Sequence, residues 1–129
     1  MSDLVLRRDR EGVAHLTLNR PDKLNALNVA LFKALETHVA DIEASPVRAV
    51  VLRGAGRCFS AGHDLGDIAA GEALPRPNYQ SHVIERLADL PIPVISAVHG
   101  HCYTGALELA LAADIILAAE SAKFADTHA

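Results

Sequence analysis

Glu108 stands in the stretch VHGHCYTGALELALAADII, residues 98–116, in the first turn of an apolar run that reads as a helix. A carboxylate held there can carry a proton to or from a bound molecule. It can also do no more than complement the positive end of the helix macrodipole. Two glycine-bearing turns share a further design: SAGHDL follows the apolar run VVLRG by a few residues, and HGHCYTGAL follows VISAV. Where a strand leads into a helix, backbone N–H groups are left without intrahelical acceptors, and glycine lets that backbone come close to a ligand. Two such donors aimed at one point would make an oxyanion hole. Glycine at either turn would equally serve packing alone.

The remaining reactive side chains have simpler readings. His99, His101 and Cys102, taken with His63 or His128, could be assembled on paper into a metal site, but no metal is expected. GxGxxG is absent and RGAGRC does not open a helix, so a dinucleotide fold has no support. Asp64 suits a turn, where its side chain bonds nearby N–H groups. Asp114 is expected to cap the junction between a helix and a strand. His15 and His38 read as surface or boundary residues, and His82 as exposed.

The elements that must position these groups follow from periodicity. Residues 3–8 and 12–18 read as two strands joined at the turn DREG, and NRPDKLNALN as a loop. Leu31, Leu35, Val39 and Ile42 recur at helical spacing over residues 29–44, with Asn28 as N-cap. RAVVLRG, residues 48–54, suits a buried strand, and AGRCFSAGHDLGDI a loop. A helix over 79–90, a buried strand over 94–98, a loop at HGHCYTG, a helix over 104–113 and a strand over 114–118 complete the pattern. Such alternation favours an α/β architecture. AAGEALPRPN, residues 69–78, reads as a mobile loop, not as a boundary between domains.

Composition narrows the function classes. The chain has 129 residues, half of them hydrophobic and 4% aromatic, so its core must be built from Ala, Val, Leu and Ile. The formal charge of −4, with no cluster of Lys and Arg, argues against nucleic acid as a partner. The apolar run LELALAADIILAA is interrupted by Glu108 and Asp114 and is too short to span a bilayer. Two cysteines, Cys58 and Cys102, make no disulfide framework, and the polar start MSDLVLRRDREG is no signal peptide. A soluble, cytoplasmic protein is expected.

Three segments together resemble the crotonase superfamily of enoyl-CoA hydratases and isomerases. CFSAGHDL looks like its first signature, PVISAVHGHCYTGALELALAADIILAAESAKF like its second, and LNRPDKLNALN like its N-terminal stretch. The resemblance implies a ββα spiral and an acyl-CoA thioester as substrate, with no cofactor beyond the coenzyme A that the substrate carries. It implies that the backbone N–H groups of His63 and Gly105 hold the thioester oxygen, and that Glu108 is the first catalytic glutamate. Ala61, His63, Asp64, Leu65 and Gly66 would line the coenzyme A site through main-chain groups, joined by residues 23–27. The family's second glutamate falls on His128, which weakens an isomerase reading and leaves hydration of a 2-enoyl thioester in front. By the same resemblance residues 1–129 are the N-terminal part of one domain, about half its length. The capping helices that build trimers and hexamers would lie outside it. A non-catalytic acyl-CoA-binding or assembly fragment is the competing class.

Overall fold

In the computed structural model, residues 3–63 and 77–126 are described. Val5–Arg10 (β1) and Val13–Leu18 (β2) form an antiparallel hairpin. Glu11 and Gly12 both take positive φ, 53° and 83°, the tight turn whose twist matches that of its strands. From β2 the chain passes through a single 3-10 turn, Pro21–Lys23, into helix α1, Val29–Glu43. The Asn28 side chain accepts a hydrogen bond from the Leu31 N–H at 2.9 Å, the N-cap read from the sequence. Strand β3 (Ala49–Gly54), helix α2 (Tyr79–Ala88) and strand β4 (Val94–Val98) follow. A short strand β5 (His101–Tyr103), helix α3 (Gly105–Ala110) and strands β6 (Ile115–Ala118) and β7 (Lys123–Ala125) complete the order.

The main sheet runs β1-β2-β3-β4-β6, parallel from β2 onward. Its strands do not bury both faces, as the apolar runs at 48–54 and 94–98 suggested. Ala14, Leu16, Leu18, Val50, Leu52, Val94, Ser96 and Val98 face the core, and the residues that alternate with them are partly open or exposed. The core receives Leu31, Phe32, Leu35, Val39 and Ile42 of α1 and Tyr79, Val83 and Leu87 of α2. Helices α1 and α2 are tied at their surface by the Tyr79 hydroxyl, which donates to Glu36 at 2.9 Å, and by the pair Arg86–Glu43 at 2.6 Å.

Several boundaries differ from the sequence reading. β1 begins two residues later than expected, and the helix expected over 104–113 is only six residues long. HGHCYTG is not wholly loop: its centre is β5, which pairs in parallel with β7 as a second, two-stranded sheet. The run that follows Glu108 is buried at Leu109 and Ala110 but opens beyond them. Leu111, which ends α3, is 62% exposed, and Ile115 and Leu117 are 51% and 60% exposed on β6, an edge strand paired on one side only. Asp114 acts on the strands themselves. Its carboxylate accepts from the Val94 N–H and its own N–H donates to the Val94 carbonyl, both at 2.8 Å, which aligns the starts of β4 and β6. No helix among the described residues is long and apolar enough to cross a membrane.

Cys58 and Cys102 are buried and free. Burial pushes the Cys102 thiol up to about 11, and Cys58 beside it adds to the rise. Burial likewise raises Cys58, against the hydrogen bond from the His101 backbone and the charge of Arg57. An unfolded thiol ionises near about 8.5, whereas the folded one stays neutral. The stability these thiols contribute is therefore complete below that pH and is lost as pH climbs towards the folded value. Denaturant midpoints should fall between about pH 8.5 and 11, and Cys102→Ala should flatten that slope while lowering the midpoint at neutral pH.

Candidate functional site

Asn25 is fully buried and ties three segments together. Its Oδ1 accepts from the Arg20 N–H at 2.8 Å, and its Nδ2 donates to the carbonyls of Ala55 and Cys58 at 2.8 and 2.9 Å. The Ser60 hydroxyl, also buried, donates to the Asn25 carbonyl at 2.7 Å and accepts from the Gly62 N–H at 3.1 Å. Leu24 and Asn25 both sit in the left-handed region, at φ 52° and 54°, which turns the chain back so that this can happen. The Ala61 N–H then donates to Leu24 and the Leu27 N–H to Gly62, at 3.0 and 2.8 Å. The 24–27 stretch thus lies along residues 61–63, the two segments that the resemblance assigns to coenzyme A. Lys23 is exposed at its edge.

The second glycine-bearing turn is brought to the first by backbone pairing. Phe59 N–H donates to His99, and Ser60 N–H to His101, at 2.7 and 3.0 Å. The two turns then interlock through their glycines. Gly62, at φ 101°, lies so close to the other loop that a Cβ would meet Thr104 Oγ1 at 2.8 Å and the Tyr103 carbonyl at 2.9 Å. A Cβ on Gly105 would meet His63 Nε2 at 2.6 Å. Absence of a side chain at both positions is what lets the turns touch.

His63 and Gly105 are therefore neighbours, through the imidazole ring of His63. Gly105 is the first residue of α3 and is buried, so its N–H has no acceptor within the helix. Among the described residues neither the His63 N–H nor the Gly105 N–H meets an acceptor. Glu108 follows in the first turn of α3, with its N–H donating to Thr104 at 3.1 Å, and its side chain is exposed rather than buried. Glu108 lies three residues along α3 from Gly105, about one helical turn. Asp64, Leu65, Gly66 and His128 lie outside the described residues.

The other histidines are engaged elsewhere. His99 Nε2 meets the Gly56 carbonyl at 2.8 Å, and His101 Nδ1 meets the Tyr103 hydroxyl at 2.7 Å. His38 Nε2 meets the Val5 carbonyl at 3.0 Å, His15 contacts Arg53, and His82 is exposed. No group of His, Cys, Asp and Glu among the described residues could hold a metal ion.

The sequence reading missed Asn25, Ser60 and Thr104. Thr104 adopts φ 48°, ψ −107°, a conformation that a β-branched residue takes only under constraint. Its N–H donates to the Ala125 carbonyl of β7 at 2.8 Å, and its side chain rests on Gly62. Such strain costs on the order of 1–3 kcal/mol, against about 0.5–1 kcal/mol for the extra freedom of an unfolded glycine. Thr104→Gly should therefore raise stability by about 1 kcal/mol in denaturant titration. Asn25→Ala should lower it by about 3 kcal/mol or more, since one substitution leaves several buried backbone groups unpaired.

A family model described as enoyl-CoA hydratase/isomerase matches residues 8–129. The chain is 39% identical over 132 residues to 1,2-epoxyphenylacetyl-CoA isomerase of Escherichia coli, covering 96% of this chain and 50% of that protein. It is 43% identical over 120 residues to a probable enoyl-CoA hydratase of Rhodobacter capsulatus, covering 88% and 45%. Among solved structures, an enoyl-CoA hydratase/isomerase from Xanthobacter autotrophicus superposes with a TM-score of 0.89 at 38% identity, over 98% of this chain and 49% of that one. The chain spans about half the length of the curated relatives it matches.

Proposed function

The chain belongs to the enoyl-CoA hydratase/isomerase family, and on that premise we propose that its protein adds water to a 2-enoyl-CoA thioester. The observation that carries this reading is the interlock of Gly62 with Thr104 and of Gly105 with His63. It sets two backbone donors without acceptors among the described residues one helical turn from a carboxylate. In the reaction Glu108 takes a proton from water as the water oxygen bonds to C3. Electrons of the double bond move towards the thioester carbonyl, and C2 then takes the proton that Glu108 received, which returns Glu108 to its carboxylate form. The negative charge that grows on the carbonyl oxygen is met by the N–H groups of His63 and Gly105. Each such donor is worth about 2.7–4 kcal/mol in the transition state, and the positioned carboxylate about 10²–10⁴-fold.

Ala61, His63, Asp64, Leu65 and Gly66, with the adjoining residues 23–27, would hold coenzyme A by main-chain groups. The interlock supports this for Ala61 and His63. No cofactor enters the scheme, since every proton and electron pair comes from substrate, water and Glu108. His128 as a second proton carrier, a homotrimeric or hexameric assembly and a cytoplasmic location belong to the same proposal, by the resemblance of the signatures.

A second reading is favoured by one relative, the isomerase of Escherichia coli: the same oxyanion site would serve migration of a double bond. Assays with crotonyl-CoA and with a 3-enoyl-CoA separate the two reactions. Glu108→Gln should lower hydration of crotonyl-CoA by about 10²–10⁴-fold while thioester affinity stays within a few-fold. No hydration by the parent chain together with an unaltered Glu108→Gln variant would sink the enzyme reading. It would leave an acyl-CoA-binding fragment instead.

A further inference from the structure

The face of the main sheet turned away from the core carries a charge arrangement that the proposed reaction does not use. Strand alternation places Arg8 and Arg10 of β1, His15 and Thr17 of β2 and Arg53 of β3 on that face. They line one cavity of about 300 Å³. Register makes them direct neighbours: Arg8 stands opposite His15, and Thr17 opposite Arg53, at about 4.5–5.5 Å between Cβ atoms. Arg8 and Arg10, two residues apart on one strand, point the same way.

Three guanidinium groups thus gather on a chain whose formal charge is −4. Among the described residues no carboxylate pairs with Arg8, Arg10 or Arg53. Asp9, between the first two, lies on the opposite side of the pleat and is held by Arg7 at 2.8 Å. Guanidinium charges gathered on one face repel one another, and a bound anion would relieve that repulsion.

The donors are also specifically arranged. Arg53 Nη2 meets His15 Nδ1 at 3.0 Å. A guanidinium can only donate, so Nδ1 is the acceptor and the imidazole proton sits on Nε2. His15 thereby becomes a further donor on this face, beside the Thr17 hydroxyl. The cavity offers N–H and O–H groups from five side chains and no carboxylate. A single carboxylate cannot use that many donors, whereas the oxygens of a phosphate dianion can. Arg53 also borders an adjoining cavity of about 460 Å³ lined by Ala97, His99 and Leu117, which leaves room for the organic part of a phosphate ester.

We propose that Arg8, Arg10, His15, Thr17 and Arg53 form a binding site for the phosphate group of a small organic phosphate. None of the five belongs to the Gly62–Gly105 site, and the site stands whether or not the hydratase reading holds.

The test is calorimetric titration of the purified chain with inorganic phosphate, with phenyl phosphate and with acetate at matched ionic strength. Saturable binding of both phosphates, and of acetate far more weakly, is expected. Arg8→Gln and Arg53→Gln should each weaken phosphate binding about tenfold, the effect of losing one charge-assisted hydrogen bond. Lys33→Gln, which removes the same charge from the exposed face of α1, should leave it unchanged. Arg10→Gln, at an exposed strand position, serves should either of the other arginine variants fail to fold. Absence of saturable phosphate binding would overturn the proposal. So would equal binding of acetate, or an equal loss in Lys33→Gln, since either would mark general attraction to positive charge.

Discussion

The amide of Asn25 is the interaction on which the candidate site depends. A buried primary amide must satisfy its donors and its acceptor or cost more than it contributes. Here it does so by holding three backbone segments: the entry to the 3-10 turn, the end of the β3 loop and the residue after Arg57. Ser60 extends the network to the first glycine-bearing turn. The loop that follows β2 and the loop that follows β3 are thereby one rigid unit. A hydrophobic contact could not do this, because it has no direction. A fixed set of hydrogen-bond lengths and angles can set where the 61–63 backbone lies relative to α3.

Precision of that kind explains the two glycines. Once residues 59–60 pair with 99–101, the chains at Gly62 and Gly105 approach closer than any side chain allows. The strain at Thr104 belongs to the same geometry. Its N–H is drawn to β7 while its side chain is pressed on Gly62, so the residue between β5 and α3 takes a conformation it would not choose. Active sites commonly hold strain of this sort, with the surrounding structure supplying the stability.

How much of this was legible in the sequence depended on how local its cause is. Helix α1 and its Asn28 cap follow from a 3.6-residue period and a side chain three residues from its partner. The hairpin β1–β2 follows from a Glu-Gly turn between strand-like runs. Part of the candidate site's layout was legible as motifs: the His63 ring lies against Gly105, and Glu108 follows one turn along α3. What escaped was set by distant segments. Three-residue strands such as β5 and β7 carry too few residues to show a period, and they exist because the loops they occupy are clamped. Asn25 reads as an ordinary loop residue until the carbonyls it bonds, thirty residues on, are known. The apolar run after Glu108 misled in the other direction. Apolar composition signals a preference for burial, and whether a strand is covered depends on what packs beside it.

Strand β6 gives that last point a consequence for the molecule in solution. Its outer edge carries main-chain donors and acceptors that no other described strand uses, beside the exposed side chains of Ile115 and Leu117. Neither a proline nor a charge interrupts Ile115–Ala118, two of the devices that keep sheet edges from growing, though the strand is short at four residues. Among the described residues this edge is where the sheet can accept a further extended segment. Among the described residues the ladder is thus open on the side of β6, whereas the opposite side of the sheet ends on a hairpin strand that carries Arg8 and Arg10.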